Sequence, residues 1–381
     1  MRTLGNTLAR LKAFKYPEGL ALRPVTGPTG GRLTELRDFR PNPGALEAYA
    51  FVPDSPTALV VVLHGCTQSA AGYDQGSGWS ELAERYGFAL LFPQQTRANN
   101  ANLCFNWFVA EDTRRGGGEA SSIRTMIATM VERHLIDPER LFVTGLSAGG
   151  AMASTMLAAY PELFAGGAII AGVPHGVASS VPQAFDRMRG HGLPDAGALE
   201  ALVREASPHS GPWPKISVWH GTADATVSDS NADAIIAQWR QLNAVGATPD
   251  RTEEVHGTVH RSWLDDRGRP VIEDYRIPGM GHGTPIAVSG VDGLGEAMPF
   301  MLDVELSSTR VIAESWNLLG KQRVVHQELV ASAPAVPAPI SRITQKPRAE
   351  PGHAPCAQVT APVSGIQRTI EAALRSVGLM S

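Results

Sequence analysis

The stretch VTGLSAGGAM, Val143 to Met152, decides the fold. An apolar run leads into Gly145, Ser147 and Gly149 at alternate positions, and an Ala/Met/Leu-rich helical pattern follows at once. A serine with glycine two residues to either side, between a strand and a helix, marks a sharp turn in which side chains at the flanking positions would collide with neighbouring backbone. The turn holds the serine oxygen out at the end of a sheet, where a base can reach it. The rival reading is an ordinary glycine-rich tight turn.

Outward from Ser147, strand-length apolar runs alternate with helix-length amphipathic segments. The runs are 58–63, 88–92, 141–144, 168–171 and 216–219, and the helical segments are 79–86, 119–134, 149–160 and 230–243. Continuous apolar strands separated by helices predict a mostly parallel sheet covered on both faces, hence the α/β class. Before it, PNPG at Pro41 to Gly44 predicts a hairpin over 32–53, and residues 254–277 read as two strands around DDRG at Asp265 to Gly268. Residues 173–214 are too long for a plain crossover and predict a short cap-like insertion, and a last helix is expected over 294–318.

The outer segments differ. Residues 1–31 read as an amphipathic helix and lead-in, with Leu4, Leu8, Leu11 and Phe14 on one side. Residues 32–320 form the expected catalytic domain, 321–363 a Pro/Ala-rich linker and 364–381 a short amphipathic helix carrying Ile366, Ile370, Leu374 and Leu379. No apolar run approaches the roughly 20 residues of a transmembrane helix, and the N-terminus lacks the apolar stretch of a secretory signal. The 33 Lys and Arg against 37 Asp and Glu give a net charge of −4, which argues against nucleic acid as a partner. Three cysteines, Cys66, Cys104 and Cys356, show no metal-ligand spacing.

A serine nucleophile in this arrangement needs an acid and then a histidine, each on a loop after a later strand. The strand KISVWHG is followed by TADATV, which offers Asp224, and the strand ending YRIP is followed by GMGHGTP, which offers His282. Asp229 and Asp233 are rival acids but fall toward a helix start, where carboxylates commonly complement the helix dipole. Two backbone donors are also needed for the oxyanion: one from Ala148, the other from Cys66 or Thr67 in the loop after LVVVLHG. Cys66 as nucleophile is disfavoured because no histidine-bearing loop matches it. Glu119 sits in the first turn of a helix, where a capping role is expected rather than catalysis. Trp107 and Phe108 read either as core aromatics or as a pocket wall, with Asn102 and Asn106 beside them.

Taken together, LHGCTQ, NLCFNWF at Asn102 to Phe108, GLSAGGAM, HGTAD with Val227, and GMGHG resemble the poly(3-hydroxybutyrate) depolymerase-type esterases, relatives of feruloyl and acetyl xylan esterases. The resemblance covers about residues 40–318. It implies an α/β-hydrolase fold and cofactor-free ester hydrolysis, without metal, through Ser147, Asp224 and His282. It also implies that Cys66 shapes the oxyanion loop and that Trp107, with Asn106 as a further candidate, lies near the substrate. The expected partner is a small or polymeric ester, with residues 364–381 as a candidate contact to a polymer granule. Two pairings stay open for Cys66 and Cys104, a disulfide or two buried thiols. The family points to an extracellular protein and the N-terminus to a cytoplasmic one. Alternatives are a carbohydrate esterase, a serine peptidase of the same fold, and a granule-associated scaffold without activity.

Overall fold

Every residue of the run Leu59–Leu63 is buried, as expected of a strand covered on both faces. The computed structural model describes residues 31–320 apart from residues 256, 291 and 292. The amphipathic N-terminal stretch, the Pro/Ala-rich stretch and the amphipathic C-terminal stretch read from the sequence lie outside the described residues.

The described chain starts with a hairpin, β1 (Thr34–Glu35) and β2 (Glu47–Phe51). Then come β3 (Leu59–Leu63), α1 (Ala70–Ser77), α2 (Trp79–Tyr86), β4 (Ala89–Gln94), α3 (Ala110–Thr113), α4 (Gly118–His134), β5 (Leu141–Leu146), α5 (Ala148–Ala159) and β6 (Gly166–Ile170). The insertion holds α6 (Val181–Met188) and α7 (Ala196–Ala206), and is followed by β7 (Lys215–Gly221) and α8 (Ser230–Arg240). The rest is β8 (Arg251–Val255), β9 (Thr258–Leu264), β10 (Pro270–Ile277), β11 (Thr284–Ile286), β12 (Met301–Asp303) and α9 (Ser308–Ser315).

Ten strands form one sheet in the order β1-β2-β4-β3-β5-β6-β7-β10-β9-β8. From β4 to β10 all neighbours are parallel, and both margins are antiparallel. Alternation along each strand divides the core. Leu59, Val61 and Leu63 join Val143, Ile216 and Val218 under α4, α5 and α8. Val60 and Val62 join Leu90, Phe92, Phe142 and Trp219 under α1, α2 and α9. On that second face Trp316 stacks on Phe142 at 4.7 Å between ring centroids. Each such buried side chain stabilises the fold by roughly 1.5–3 kcal/mol relative to exposure. The α/β class and the doubly covered sheet expected from the sequence are borne out.

Two expectations change. The helix expected over 294–318 is a helix only at Ser308–Ser315, and Met301–Asp303 instead pairs in parallel with Thr284–Ile286. Pro299 explains the break, because it has no N–H to donate and disfavours helical backbone at Met298. Ala70–Ser77 forms a helix capped by Ser69, whose side chain accepts from the Gly72 N–H. The insertion is only partly a cap: α7 packs on α5 and α8, while Ala184 and Met188 of α6 join Trp107, Ala148 and Val227 at the end of the sheet.

An ion cluster fastens the late strands. Asp274 on β10 is fully buried and accepts from Arg261 Nε of β9 at 2.8 Å and from Arg276 Nε at 2.7 Å. Arg276 Nη2 continues to Asp233 on α8 at 2.7 Å. Removing the central carboxylate leaves the two cations with only the exposed side chains of Asp233 and Asp229 as partners. Asp274→Ala is expected to lower unfolding free energy by about 3–5 kcal/mol, read as a fall in the urea midpoint.

Candidate active site

The turn between β5 and α5 is set by contact of backbone on backbone. A Cβ on Gly149 would stand 2.2 Å from Leu63 O and 2.5 Å from His64 O, so only glycine lets the helix start this close to the end of β3. Ser147 is driven to φ 57°, ψ −117°, a conformation that costs an ordinary residue roughly 1–3 kcal/mol. Its N–H donates to Ile170 O at 2.9 Å and its C=O accepts from Ala151 N at 2.8 Å. The side chain faces a small cavity of about 30 Å³ lined by Cys66, Trp107, Ser147, Ala148, Ala151, Ala171, Val173, Met188 and Val227.

Asp224 and His282 come from loops after β7 and β10, which are neighbours in the sheet. The loops are bonded together before they reach the site. Thr222 N donates to Ile277 O at 3.0 Å, Ala223 N to Met280 O at 3.0 Å, and Gly279 N to Thr222 Oγ1 at 2.9 Å. His282 Nδ1 then meets Asp224 Oδ2 at 2.7 Å, and Asp224 Oδ1 accepts from Thr226 N and Val227 N at 2.8 and 2.9 Å. Burial alone would push the Asp224 carboxyl up. Hydrogen bonds from His220, His282 and Val227 and the charge attraction of His282 outweigh it and hold the group well below the usual carboxylate range. The rival acids are occupied elsewhere: Asp233 pairs with Arg276 and Arg261, and Asp229 lies 4.0 Å from Arg276.

His220 went unnoticed in the sequence although it lies four residues before Asp224. It is fully buried, with Nε2 3.0 Å from Val227 O and 3.4 Å from Asp224 Oδ2, so a proton on Nε2 ties both ends of the acid loop to β7.

Of the two candidate donors after β3, Thr67 is occupied, its N–H donating to Asn102 O at 2.7 Å. Gly65 N–H goes to Gln68 Oε1 at 2.8 Å. Cys66 remains, lining the cavity beside Ala148, which begins α5 and so has no earlier turn of its own helix to donate to. Cys66 is disulfide-bonded to Cys104, which settles the open pairing and ties the donor loop to the loop carrying Trp107. Trp107 lines the cavity and meets Phe108 edge to face at 5.5 Å. Asn106 does not line it: its Oδ1 accepts from Asn100 Nδ2 at 2.9 Å, and its N–H donates to Glu119 Oε2 at 2.9 Å.

Glu119 is more than a first-turn charge. It is completely buried, and its Oε1 accepts from Gln95 Nε2 at 2.5 Å. Gln95 also donates to Cys104 O at 3.1 Å, and its N–H to His64 Nε2 at 3.1 Å. His64, whose Nδ1 donates to Gly65 O at 2.8 Å, is lowered to about 4 by burial and stays neutral. One buried network therefore runs from α4 beneath both disulfide-linked loops. Among the described residues no group of three or more His, Cys, Asp or Glu side chains is arranged to hold a metal ion.

Known proteins share this arrangement's sequence. A family model described as Esterase PHB depolymerase matches residues 47–259. Poly(3-hydroxyalkanoate) depolymerase C of Paucimonas lemoignei is 42% identical over 293 residues, 76% of this chain and 70% of that protein. Acetylxylan esterase A of Aspergillus oryzae is 31% identical over 275 residues, 68% of this chain and 86% of that protein. Feruloyl esterase B of Talaromyces stipitatus is 30% identical over 270 residues, 68% of this chain and 74% of that protein. Among solved structures, the acetyl xylan esterase from Aspergillus awamori matches with a TM-score of 0.61 at 26% identity, covering 66% of this chain and 94% of that one.

Burial pushes Glu119 up to about 8, against the hydrogen bonds that favour its charged form. The unfolded chain titrates this carboxyl near 4.5, so the folded state binds the proton more tightly. Its contribution is fully present below about 4.5 and is lost as pH rises through about 8, on the order of 4 kcal/mol across that window. Glu119→Gln is expected to flatten this part of the stability–pH curve, measured by urea unfolding at pH 5 and pH 9.

Proposed function

The chain belongs to the PHB depolymerase family of esterases and is a carboxylic ester hydrolase, and from that premise we propose that it cleaves esters of short aliphatic acids, foremost 3-hydroxyalkanoates, through Ser147, Asp224 and His282. The observation that carries the reading is the 2.7 Å hydrogen bond from His282 Nδ1 to Asp224, at the sheet end where Ser147 is turned toward an apolar cavity.

Ser147 Oγ attacks the ester carbonyl while the free ring nitrogen of His282 takes its proton. Asp224 fixes the tautomer with Nδ1 protonated and stabilises the imidazolium. The N–H groups of Cys66 and Ala148 receive the oxyanion. Collapse of the tetrahedral intermediate breaks the bond to the alcohol, which leaves with the proton from His282. Water, deprotonated by His282, then attacks the acyl–serine, the serine recovers the proton, and the acid departs.

The cavity supports the acyl assignment. At about 30 Å³ it has room for two or three groups the size of water, at roughly 10–15 Å³ each, and its walls are Ala, Val, Met, Trp and the disulfide. A short acyl chain suits these walls. Acetyl esters of carbohydrates are the second reading, because an acetyl group fits the same walls and the Aspergillus relatives are acetyl xylan esterases. The amphipathic pattern of residues 364–381 supports, on sequence alone, contact with a polymer granule.

Ser147→Ala is expected to lower kcat/KM by at least about 10³-fold with an unchanged melting temperature, and Ser147→Ala with His282→Ala by little more, because the residues act as a unit. Additive losses would remove one of them from the mechanism. Across p-nitrophenyl esters, kcat/KM is expected to fall from butyrate to decanoate and to be low for ferulate; a preference for ferulate would overturn the acyl assignment. A chain ending at Gly320 is expected to keep its activity on p-nitrophenyl butyrate while sedimenting less with hydroxybutyrate particles. Equal sedimentation would discard the granule contact.

A further inference from the structure

We propose that Phe300 is a substrate-contact residue that binds the alcohol portion of the ester, a reading that rests on the assignment of His282 above. The turn Met298–Pro299–Phe300–Met301 closes with Met301 N donating to Met298 O at 2.9 Å. Proline at its second position and φ 66° at Phe300 make it a type II turn, whose third position ordinarily takes glycine or asparagine. A bulky aromatic in left-handed backbone is a strained choice for a turn. Nothing in the turn itself calls for it.

The flanks hold the turn in place. Met301 is buried in the core, and it and Met298 press on α1 so closely that a Cβ on Gly76 would meet Met301 Cγ at 2.5 Å and Met298 Sδ at 3.0 Å. Phe300 O accepts from Thr284 N at 2.8 Å, two residues past His282. The side chain between these anchors is 39% exposed, and its ring lies edge-on to His282 at 6.1 Å and 78°. An exposed phenyl ring on a fixed, strained turn beside the general base is an apolar surface in search of a contact.

Its position says which part of the substrate it meets. The proton that His282 takes from Ser147 goes to the leaving oxygen, so the departing alcohol passes beside the imidazole. The apolar cavity next to Ser147 lies by Trp107, Val173 and Met188, and neither Phe300 nor His282 lines it. Acyl and alcohol portions thus have separate apolar surfaces. An alcohol with an extended aliphatic body, such as a further hydroxyalkanoate unit or a long alkyl chain, covers the Phe300 ring; methanol is too small to reach it.

Two butyrate esters with different alcohols, methyl and hexyl, isolate this contact because the acyl group is the same. Phe300→Gly, which suits the left-handed backbone, is expected to lower kcat/KM for hexyl butyrate about tenfold, mainly through KM, and for methyl butyrate less than about twofold. Its melting temperature is expected to stay within about 2 °C of the parent, since strain is relieved as ring packing is lost. Phe300→Leu, with an apolar side chain on the same turn, is expected to restore most of the hexyl ester activity. Equal loss on both esters would show that Phe300 only supports His282, and no loss on either would show an idle side chain; each overturns the inference. Labelling of Ser147 by a fluorophosphonate reads the underlying assignment separately. Absent labelling of the parent protein strikes that assignment, whereas intact labelling with an unchanged hexyl-to-methyl ratio in Phe300→Gly strikes this inference alone.

Discussion

The site depends on one backbone contact, the first turn of α5 against the end of β3. With Gly149 at 2.2 Å from Leu63 O for any added Cβ, the two elements meet without side chains between them. Three consequences follow from that proximity. Ser147 must take φ 57° to pass from strand to helix, so its side chain stands clear of the sheet. The start of α5, with its unpaired N–H at Ala148, lies beside it. The chain leaving β3 passes close by, which brings Cys66 to the same cavity. A nucleophile and two donors from distant parts of the sequence are thus set by the packing of one helix on one strand.

A second layer, buried and polar, holds those loops. Glu119, Gln95 and His64 have no exposure worth the name, and each carries hydrogen bonds that end on the loops bearing Cys66 and Cys104. Buried polar groups of this kind are costly unless satisfied, so the network tolerates few substitutions. On the other side of the site, His220 does the corresponding work for the acid loop, donating from β7 toward Val227 O and Asp224. The covalent link from Cys66 to Cys104 completes the frame.

Strained backbone occurs at the site end of the sheet as well as in turns elsewhere, at Asp38, Ser55 and Leu135 for example. Thr67, Leu103, Ser147, Ala171 and Phe300 all have positive φ without being glycine, and each belongs to a loop or turn at the end of the sheet that carries the site. Such conformations persist only where surrounding structure determines them. Here the two apolar faces of the sheet and the paired loops supply that support, and the cost is borne by parts of the molecule with no contact to substrate.

Much of this was legible in the sequence. Continuous apolar runs separated by helical periodicity marked the strands from Leu59 to Gly221 within a few residues, because burial on both faces leaves a continuous hydrophobic signature. The Gly-x-Ser-x-Gly spacing, the chain order of Ser147, Asp224 and His282, and the five family motifs pointed to an esterase, because turn geometry and nucleophile chemistry both restrict local residue choice. Other features depended on contacts distant in sequence. Gly76 of α1 leaves room for Met301, a contact distant in sequence, and Pro299 divides what periodicity suggests is one helix. Glu119 looked like a helix-end charge because nothing local reveals that Gln95 and Asn106 close over it. Asn106 looked like a pocket residue, yet its side chain is turned to Asn100. Sequence by itself determined the elements and the chemical types, since these follow from local periodicity and turn sterics. Burial, the disulfide, the partners of each polar group and the exposure of Phe300 were decided by tertiary structure, because they are properties of which surfaces meet.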